Sequence, residues 1–280
     1  MNQNFPTSLL DYLARAGCGG RRQAARLLAA GRVKVNGKTV TKGELEVVHG
    51  KDHVRVDEKL IKKLFPPTYI VLNKPERTIT ATTDPGDRRT VYTLLGKYSN
   101  AVTAVGRLDW DTEGVLLFTN DGPLAHALTA PASHVPKTYR VKIKGHASPA
   151  ALEKLRQGVD IGGYRTAPAL VRMVASEPAN MWLRITLTEG KYHQVKRMVE
   201  AVGHMTLKLV REKFGPVELG DLASGAWRHL QEWEIRKLRE AVRRDAGGDE
   251  AAPRRARNKS RGRPVKAVAH EGTPGPRRED

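Results

Sequence analysis

Apolar residues in the first sixty positions follow a helical spacing and then an alternating one. Those from residue 9 to residue 16 recur every three or four positions, which predicts a helix that Gly17 ends. A second helix is predicted over residues 21–30. Residues 33–40 (VKVNGKTV) alternate around an Asn-Gly pair that tolerates positive φ, so a hairpin is predicted there. Residues 53–56 (HVRV) add a further short strand.

Apolar runs and helix signals alternate from residue 68 to residue 240. Ser148 and Pro149 are typical of a helix start, and Gly158 is typical of its end. Another helix is predicted over residues 195–202, with its apolar positions on one side. This mixture of strands and helices indicates an α+β fold. The predicted strands cover residues 69–74, 103–105, 114–120, 138–143 and 182–187.

The composition divides the chain into three segments. Residues 61–67 (IKKLFPP) read as a linker, stiffened by the Pro-Pro pair. Residues 241–280 contain no aromatic side chain and no Leu, Ile or Met, so they cannot bury enough surface to offset the entropy of ordering. We therefore expect a small domain over residues 1–64, a larger domain over residues 65–240, and a disordered basic tail over residues 241–280.

The charge of the chain indicates a polyanionic partner. Its 280 residues carry a net charge of +19, and 39% of them are hydrophobic. Residues 1–64 hold 13 Lys or Arg against 6 Asp or Glu, and residues 65–240 hold 25 against 18, so the excess is not confined to the tail. Nucleic acid is the natural partner of such a chain, although a basic ribosome-associated protein without chemistry has the same composition.

Cysteine content and hydropathy restrict the remaining classes. Cys18 is the single cysteine, so an internal disulfide or a cysteine-based zinc site is excluded. No apolar run approaches the ~20 residues that span a bilayer, and the start of the chain lacks a signal-peptide pattern. We expect a cytoplasmic protein with no membrane partner.

Basic side chains cluster on the second predicted helix. Arg22 and Arg26 lie four positions apart and share a helix face, and Arg21 precedes them. A solvated helix face would have the same pattern. Three stretches resemble the S4 RNA-binding domain, namely LARAG (13–17), GRRQAARLLAAGRVKVNG (20–37) and VRVD (54–57). The resemblance implies a two-helix and hairpin fold, with Arg21, Arg22 and Arg26 on the RNA.

A long motif, VGRLDWDTEGVLLFTNDG (105–122), carries the candidate chemistry. Asp109 follows a predicted strand, where loops present functional groups, although an Asp in this context is also a common turn former. The part GRLDWDTEGVLLFTN (106–120) resembles the signature of the RsuA/RluB-type family of bacterial ribosomal RNA pseudouridine synthases. Supporting stretches occur in the family's order, namely LNKP (72–75), KTYRV (137–141), EGKYHQVKRM (189–198) and LVREKFG (209–215).

The resemblance implies a role for each matched residue. Asp109 is expected to act on a flipped-out uridine, either by attacking C1′ or by abstracting the 2′ proton, and both routes remain open. Tyr139 is expected to stack on the base, and Lys191 to pair with Asp109 and keep it charged. Leu209 is expected to pack against the base, and Arg107 to hold the opened stack or a neighbouring phosphate.

The remaining expectations come from the resemblance and from the local sequence. Lys74, in the matched LNKP stretch, is expected to bind substrate, whereas Asp111 and Asp121 are assigned to turns as polar residues of the motif. Arg77 stands where the family usually has Gly, so the local turn must avoid positive φ or Arg77 is strained. The implied fold of the larger domain is a mixed, mainly antiparallel sheet.

The implied reaction isomerises uridine to pseudouridine in a loop or junction of ribosomal RNA, and it uses no metal, nucleotide or redox cofactor. We expect the enzyme to be a monomer. Three alternatives remain: an S4-type assembly factor with an inactive catalytic domain, an RNA N-glycosidase that releases the base, and a synthase acting on transfer RNA.

Overall fold

The computed structural model describes residues 6–246. Two helices at the start of the chain share a core with a small sheet that has the strand order β3-β2-β5-β6, and β1 pairs with β4. Asn36 and Gly37 both adopt positive φ between β2 and β3, which confirms the predicted hairpin. These N-terminal elements are β1 (Thr7–Ser8), α1 (Leu9–Arg15), α2 (Arg21–Ala29), β2 (Val33–Val35), β3 (Lys38–Thr39), β4 (Glu46–Val47), β5 (Val54–Val56) and β6 (Lys59–Leu60).

A larger sheet occupies the rest of the described chain. Its strands are β7 (Tyr69–Lys74), β8 (Thr103–Val105), β9 (Thr112–Thr119), β10 (Lys137–Lys144), β11 (Leu170–Glu177), β12 (Asn180–Leu187), β13 (Thr206–Phe214), β14 (Val217–Glu218) and β15 (Trp227–His229). Its helices are α3 (Gly122–Thr129), α4 (Pro149–Gln157), α5 (Gln194–Ala201) and α6 (Glu232–Ala246). Short 3-10 turns cover Val91–Leu94, Gly96–Tyr98 and Pro131–Ser133.

The strand order of the large sheet is β11-β12-β10-β13-β9-β7-β15, with β14 beside β13 and β8 beside β9. Between residues 6 and 246, every pair in this sheet is antiparallel except β9 with β13, where Leu209 lies opposite Thr112. The α+β class and the mainly antiparallel sheet are therefore confirmed.

The parallel pair depends on Gly114. Its φ is +108°, and a Cβ atom added there would lie 2.2 Å from the carbonyl oxygen of Arg211. The buried Arg211 side chain then ties the two strands together, because its Nε donates to the carbonyl of Val115 at 2.7 Å. Any side chain at position 114 would push β13 away from β9.

The sequence expectations fail at several elements. The strands β11 and β13 and the helices α3 and α6 were not predicted. The helix α6 continues through Ala246, and Ala241 and Val242 pack against the core, so the predicted start of the tail at residue 241 is wrong. Residues 247–280 of the predicted tail lie outside the described residues.

Arg77 adopts the strained alternative. Its φ is +54°, in the left-handed region that non-glycine residues rarely occupy. The turn after β7 is therefore built without the Gly that the family usually has, and we expect a backbone cost of about 1 kcal/mol.

Candidate active site

The loop between β8 and β9 carries Asp109 on a fixed backbone. Leu108 is buried, and both its N–H and its carbonyl oxygen hydrogen-bond to the hydroxyl of Thr80, at 3.3 and 2.9 Å. On the other side, the N–H of Thr112 donates to the carbonyl of Asp109 at 3.1 Å. The Asp109 side chain is 33% exposed. The carboxylate can therefore reach a ligand while its backbone is held on both sides.

Lys74 hydrogen-bonds to the backbone of this loop from the protein interior and does not face a substrate. Its side chain is fully buried, and Nζ donates to the carbonyl oxygens of Thr112 at 2.7 Å and Trp110 at 3.4 Å. It also donates to the carbonyl of Pro75 at 3.1 Å. Burial lowers the pKa of Lys74 to about 8. The prediction that Lys74 contacts substrate is therefore wrong, because its ammonium is enclosed by the chain.

Replacing Lys74 with Met should make the loss of stability depend on pH. Between pH 8 and 10.5 the unfolded chain holds the lysine proton that the folded chain has released, so this group's contribution to the free energy of unfolding rises with pH. The free energy of unfolding of wild type minus that of Lys74→Met should then increase by on the order of 2–3 kcal/mol from the lower to the upper end of that window. Urea unfolding of both proteins at pH 7.5, 9 and 10.5 measures it, and a constant gap would contradict the buried position.

Two basic side chains at the start of α5 approach Asp109. Nζ of Lys196 lies 3.9 Å from Oδ2 of Asp109, and Nε2 of His193 lies 3.4 Å from Oδ1. Lys196 also donates to Oδ1 of Asp111 at 2.5 Å. The ammonium of Lys196 is thus shared by two carboxylates.

Asp111 is part of this cluster as well as of a turn. Burial alone would raise the pKa of its carboxyl, but the hydrogen bond and the charge of Lys196 outweigh burial and lower the pKa. Assigning Asp111 to a turn alone was incomplete. Asp121 behaves as expected, because its side chain accepts from the N–H of Leu124 and caps α3.

Lys191 does not pair with Asp109, and that prediction is wrong. Its Nζ lies 4.3 Å from the centre of the Tyr164 ring, while the hydroxyl of Tyr164 donates to Glu189 at 2.5 Å. Lys191 precedes α5, whose first residue is Gln194. In the described part of the chain, the basic side chains within 4 Å of the Asp109 carboxylate are those of His193 and Lys196, two and five positions after the expected Lys191.

Tyr139 and Leu209 line the same side of the sheet. Tyr139 lies on β10 opposite Arg211, half-buried between the cluster around Val141 and the cluster around Leu116. Leu209 is 5% exposed and lies opposite Thr112, at the base of the Asp109 loop. A cavity of about 210 Å³ is bordered by Leu209 together with Asp111 and Lys196. Leu209 is thus close to the carboxylate cluster, and Tyr139 is two strands from β9.

The remaining predicted contacts are on the surface. Arg107 is exposed on the Asp109 loop. Arg21, Arg22 and Arg26 are exposed on α2, but Arg21 is paired with Asp11 at 2.9 Å. Among residues 6–246, neither Arg22 nor Arg26 forms an ion pair, so both are available to a phosphate.

Comparison with known proteins decides the family. Residues 68–201 match the model of RNA pseudouridylate synthases, and residues 8–54 match that of the S4 domain. An uncharacterised RNA pseudouridine synthase of Aquifex aeolicus is 38% identical, covering 82% of this chain and 93% of the relative. The chain belongs to the RNA pseudouridine synthase family. Ribosomal large subunit pseudouridine synthase B of Bacillus subtilis is 36% identical over 82% of this synthase and 95% of its own length.

A solved structure agrees with this assignment. A crystal structure of a pseudouridylate synthase superimposes with a TM-score of 0.57 at 30% identity, covering 82% of this synthase and 99% of that chain. The family's RsuA/RluB branch and the S4 domain are both confirmed. Within residues 6–246 no helix could cross a membrane, and no three His, Cys, Asp or Glu side chains are grouped to hold a metal ion.

Proposed function

We propose that this synthase converts a specific uridine of ribosomal RNA to pseudouridine, with Asp109 as the carboxylate that acts on a flipped-out uridine. The carrying observation is the partly exposed Asp109 carboxylate beside the Lys196 ammonium, on a backbone fixed by Thr80 and Lys74. The Bacillus subtilis relative is named for the large ribosomal subunit, which supports ribosomal RNA as the substrate.

In the proposed reaction the C1′–N1 bond breaks, the uracil rotates while it remains bound, and C5 joins C1′. C5 then loses its proton and N1 gains one, so the product is an isomer of the substrate. Attack by Asp109 on C1′ and abstraction of the 2′ proton both need an ionised carboxylate, and the Lys196 ammonium lies 3.9 Å from the Asp109 carboxylate. Tyr139 is proposed to stack on the base, and Leu209 to close its edge near the Asp109 loop. Arg107 is proposed to hold the RNA where the uridine has left the stack.

Mapping pseudouridines in both large ribosomal RNAs, from cells with and without this protein, tests the proposal. One uridine should lose its modification in the deletion strain and regain it when the gene is restored. The purified protein should modify the same position in a transcript without added metal or nucleotide. Free uracil among the products would indicate an N-glycosidase instead. Loss of a pseudouridine from transfer RNA in the deletion strain would indicate that the substrate is transfer RNA and not ribosomal RNA.

We further propose that residues 1–64 supply RNA affinity, whereas residues 65–240 supply the chemistry. The exposed Arg22 and Arg26 on α2 support this division, because no described residue neutralises them. The enzyme is proposed to act in the cytoplasm as a monomer, on a loop or junction of the RNA.

Deleting residues 1–64 should weaken RNA binding and flatten its salt dependence. Each lost phosphate contact should reduce the slope of log affinity against log salt by about 0.7 to 0.9. The double variant Arg22→Ala with Arg26→Ala should lose about 1.4 to 1.8 of that slope. A salt titration measures RNA affinity and its slope, and single-turnover conversion at saturating RNA measures the chemistry of the remaining domain. Arg21→Ala, at the arginine already paired with Asp11, is the matched control and should change the slope less. An unchanged slope in the double variant would contradict the proposed RNA contact.

A further inference from the structure

A stacked pair of rings extends outward from Asp109. The rings of Tyr192 and His193 are nearly parallel, with centres 3.9 Å apart and an angle of 18° between their planes. His193 reaches Asp109 through Nε2. Tyr192 therefore stacks on the imidazole ring whose Nε2 contacts the carboxylate. Its side chain is 76% exposed, so burial in a core does not account for its position.

The turn that carries the pair is held in place. His193 has a φ of +50°, a left-handed conformation that a histidine adopts at a cost. The buried Gln194 supports the turn, because its side chain accepts from the N–H of Lys191 at 2.8 Å and donates to Glu189. The N–H of Gln194 in turn donates to the carbonyl of Lys191 at 3.1 Å. The two rings therefore stand on a braced backbone.

Extrusion of the target uridine leaves neighbouring bases that an aromatic ring near Asp109 can bind. When a uridine leaves the stack to reach Asp109, the bases next to it lose a stacking partner. Aromatic side chains bind unstacked bases through their faces, with little preference among the four bases. Trp110, which follows Asp109, offers less free surface, since it is 39% exposed and the Arg88 guanidinium lies 5.5 Å from its ring centre. Tyr192 presents the open face.

We propose that Tyr192, backed by His193, is a stacking platform for a nucleobase adjacent to the target uridine. The ligand is a single unpaired base of the RNA strand that passes Asp109, and any of the four bases fits. This inference rests on the proposed function for the identity of the RNA strand. It assigns Tyr192 to RNA binding and not to the isomerisation step itself.

The test compares Tyr192→Leu with Tyr192→Phe. The RNA is the fragment that contains the mapped uridine, prepared unmodified and with an abasic site on its 5′ or its 3′ side. Loss of the platform should raise the RNA concentration that gives half-maximal single-turnover conversion by about 5- to 100-fold, with a much smaller change at saturation. Tyr192→Phe keeps the ring and should restore wild-type binding. Trp233→Leu, at an exposed ring on α6, is the matched control and should behave as wild type.

The abasic RNAs identify the contact. On one side of the uridine, the abasic site should weaken wild-type binding as much as Tyr192→Leu does, and it should add little further loss in the variant. Additive losses on both sides would overturn the proposal, as would a Tyr192→Leu variant that binds like wild type. The same outcomes are read without turnover from 2-aminopurine placed beside the uridine, whose fluorescence should be quenched by wild type and Tyr192→Phe but not by Tyr192→Leu.

The two readouts separate this inference from the proposed function. If 2-aminopurine quenching depends on Tyr192 but the RNA is never converted to pseudouridine, the stacking role of Tyr192 is supported and the proposed reaction is contradicted. If the RNA is converted and Tyr192→Leu has no effect at any RNA concentration, the proposed reaction is supported and the stacking role of Tyr192 is contradicted.

Discussion

The Asp109→Asn variant should lose at least 99% of single-turnover conversion while it still binds RNA. The amide has nearly the shape of the carboxylate, but it can neither attack C1′ nor accept the 2′ proton, so both proposed routes stop. A hundredfold loss corresponds to about 2.7 kcal/mol of barrier. Conversion is measured at saturating RNA with enzyme in excess, and binding by a filter or anisotropy assay on the same fragment.

Asp121→Asn is the control for this variant. Asp121 follows the end of β9 and caps α3, and this variant makes the same Asp-to-Asn substitution there. Asparagine is also a good helix cap, so α3 should be preserved. It should keep nearly full activity. If Asp109→Asn retained more than about 1% of wild-type conversion, the assignment of the catalytic carboxylate would be wrong.

Lys196→Met should lower conversion at saturating RNA by about 10- to 100-fold. The substitution leaves the carboxylates of Asp109 and Asp111 together without the ammonium that they share. A unit charge near 4 Å is worth at most about 4 kcal/mol at a partly exposed site, and part of that stabilisation is lost with it. Lys196→Arg retains the charge and should recover part of the activity. Asp111→Asn keeps an acceptor for Lys196 and should cost only a few-fold.

Lys191→Met decides between the structure and the sequence pattern. The sequence resemblance assigned the cation on Asp109 to Lys191, whereas the structure places Lys191 over the Tyr164 ring. Lys196→Met should therefore cost at least about tenfold more activity than Lys191→Met. Equal losses, or a larger loss at Lys191, would mean that Lys191 moves to Asp109 when RNA binds.

The sequence predicted most of the fold because local patterns were strong where structure is regular. Alternation identified β10 and β12, and the cap at Ser148 identified the start of α4, whose N-cap oxygen accepts from the N–H of Ala151. The strand β11 was missed because it is the edge of the sheet and most of its side chains are exposed, so apolar and polar positions do not alternate. The helix α6 was missed because it is rich in charge and its apolar positions are few.

The position of Asp109 in the fold was predictable because a long motif carries it, and its loop has the expected place after β8. The errors concern pairing. Whether Lys191 or Lys196 meets Asp109 depends on where α5 begins and how it is rotated against β13, which no local pattern gives. His193 is the N-cap residue of α5 and Lys196 lies in its first turn, so two basic residues at a helix start were a usable signal. Lys74 was misassigned because burial of its charge results from the packing of the Asp109 loop above it.

The parallel pairing of β9 with β13 has a consequence for synthesis of the chain. The Asp109 loop and β9 leave the ribosome early, but their partner strand begins at Thr206 and the shared cation at Lys196 comes only shortly before it. More than 80 residues must therefore be made after Asp109 before the loop can be completed, on the order of 5–20 s at a typical rate of elongation. A nascent chain that already carries a folded N-terminal domain could engage RNA throughout that interval without being able to modify it.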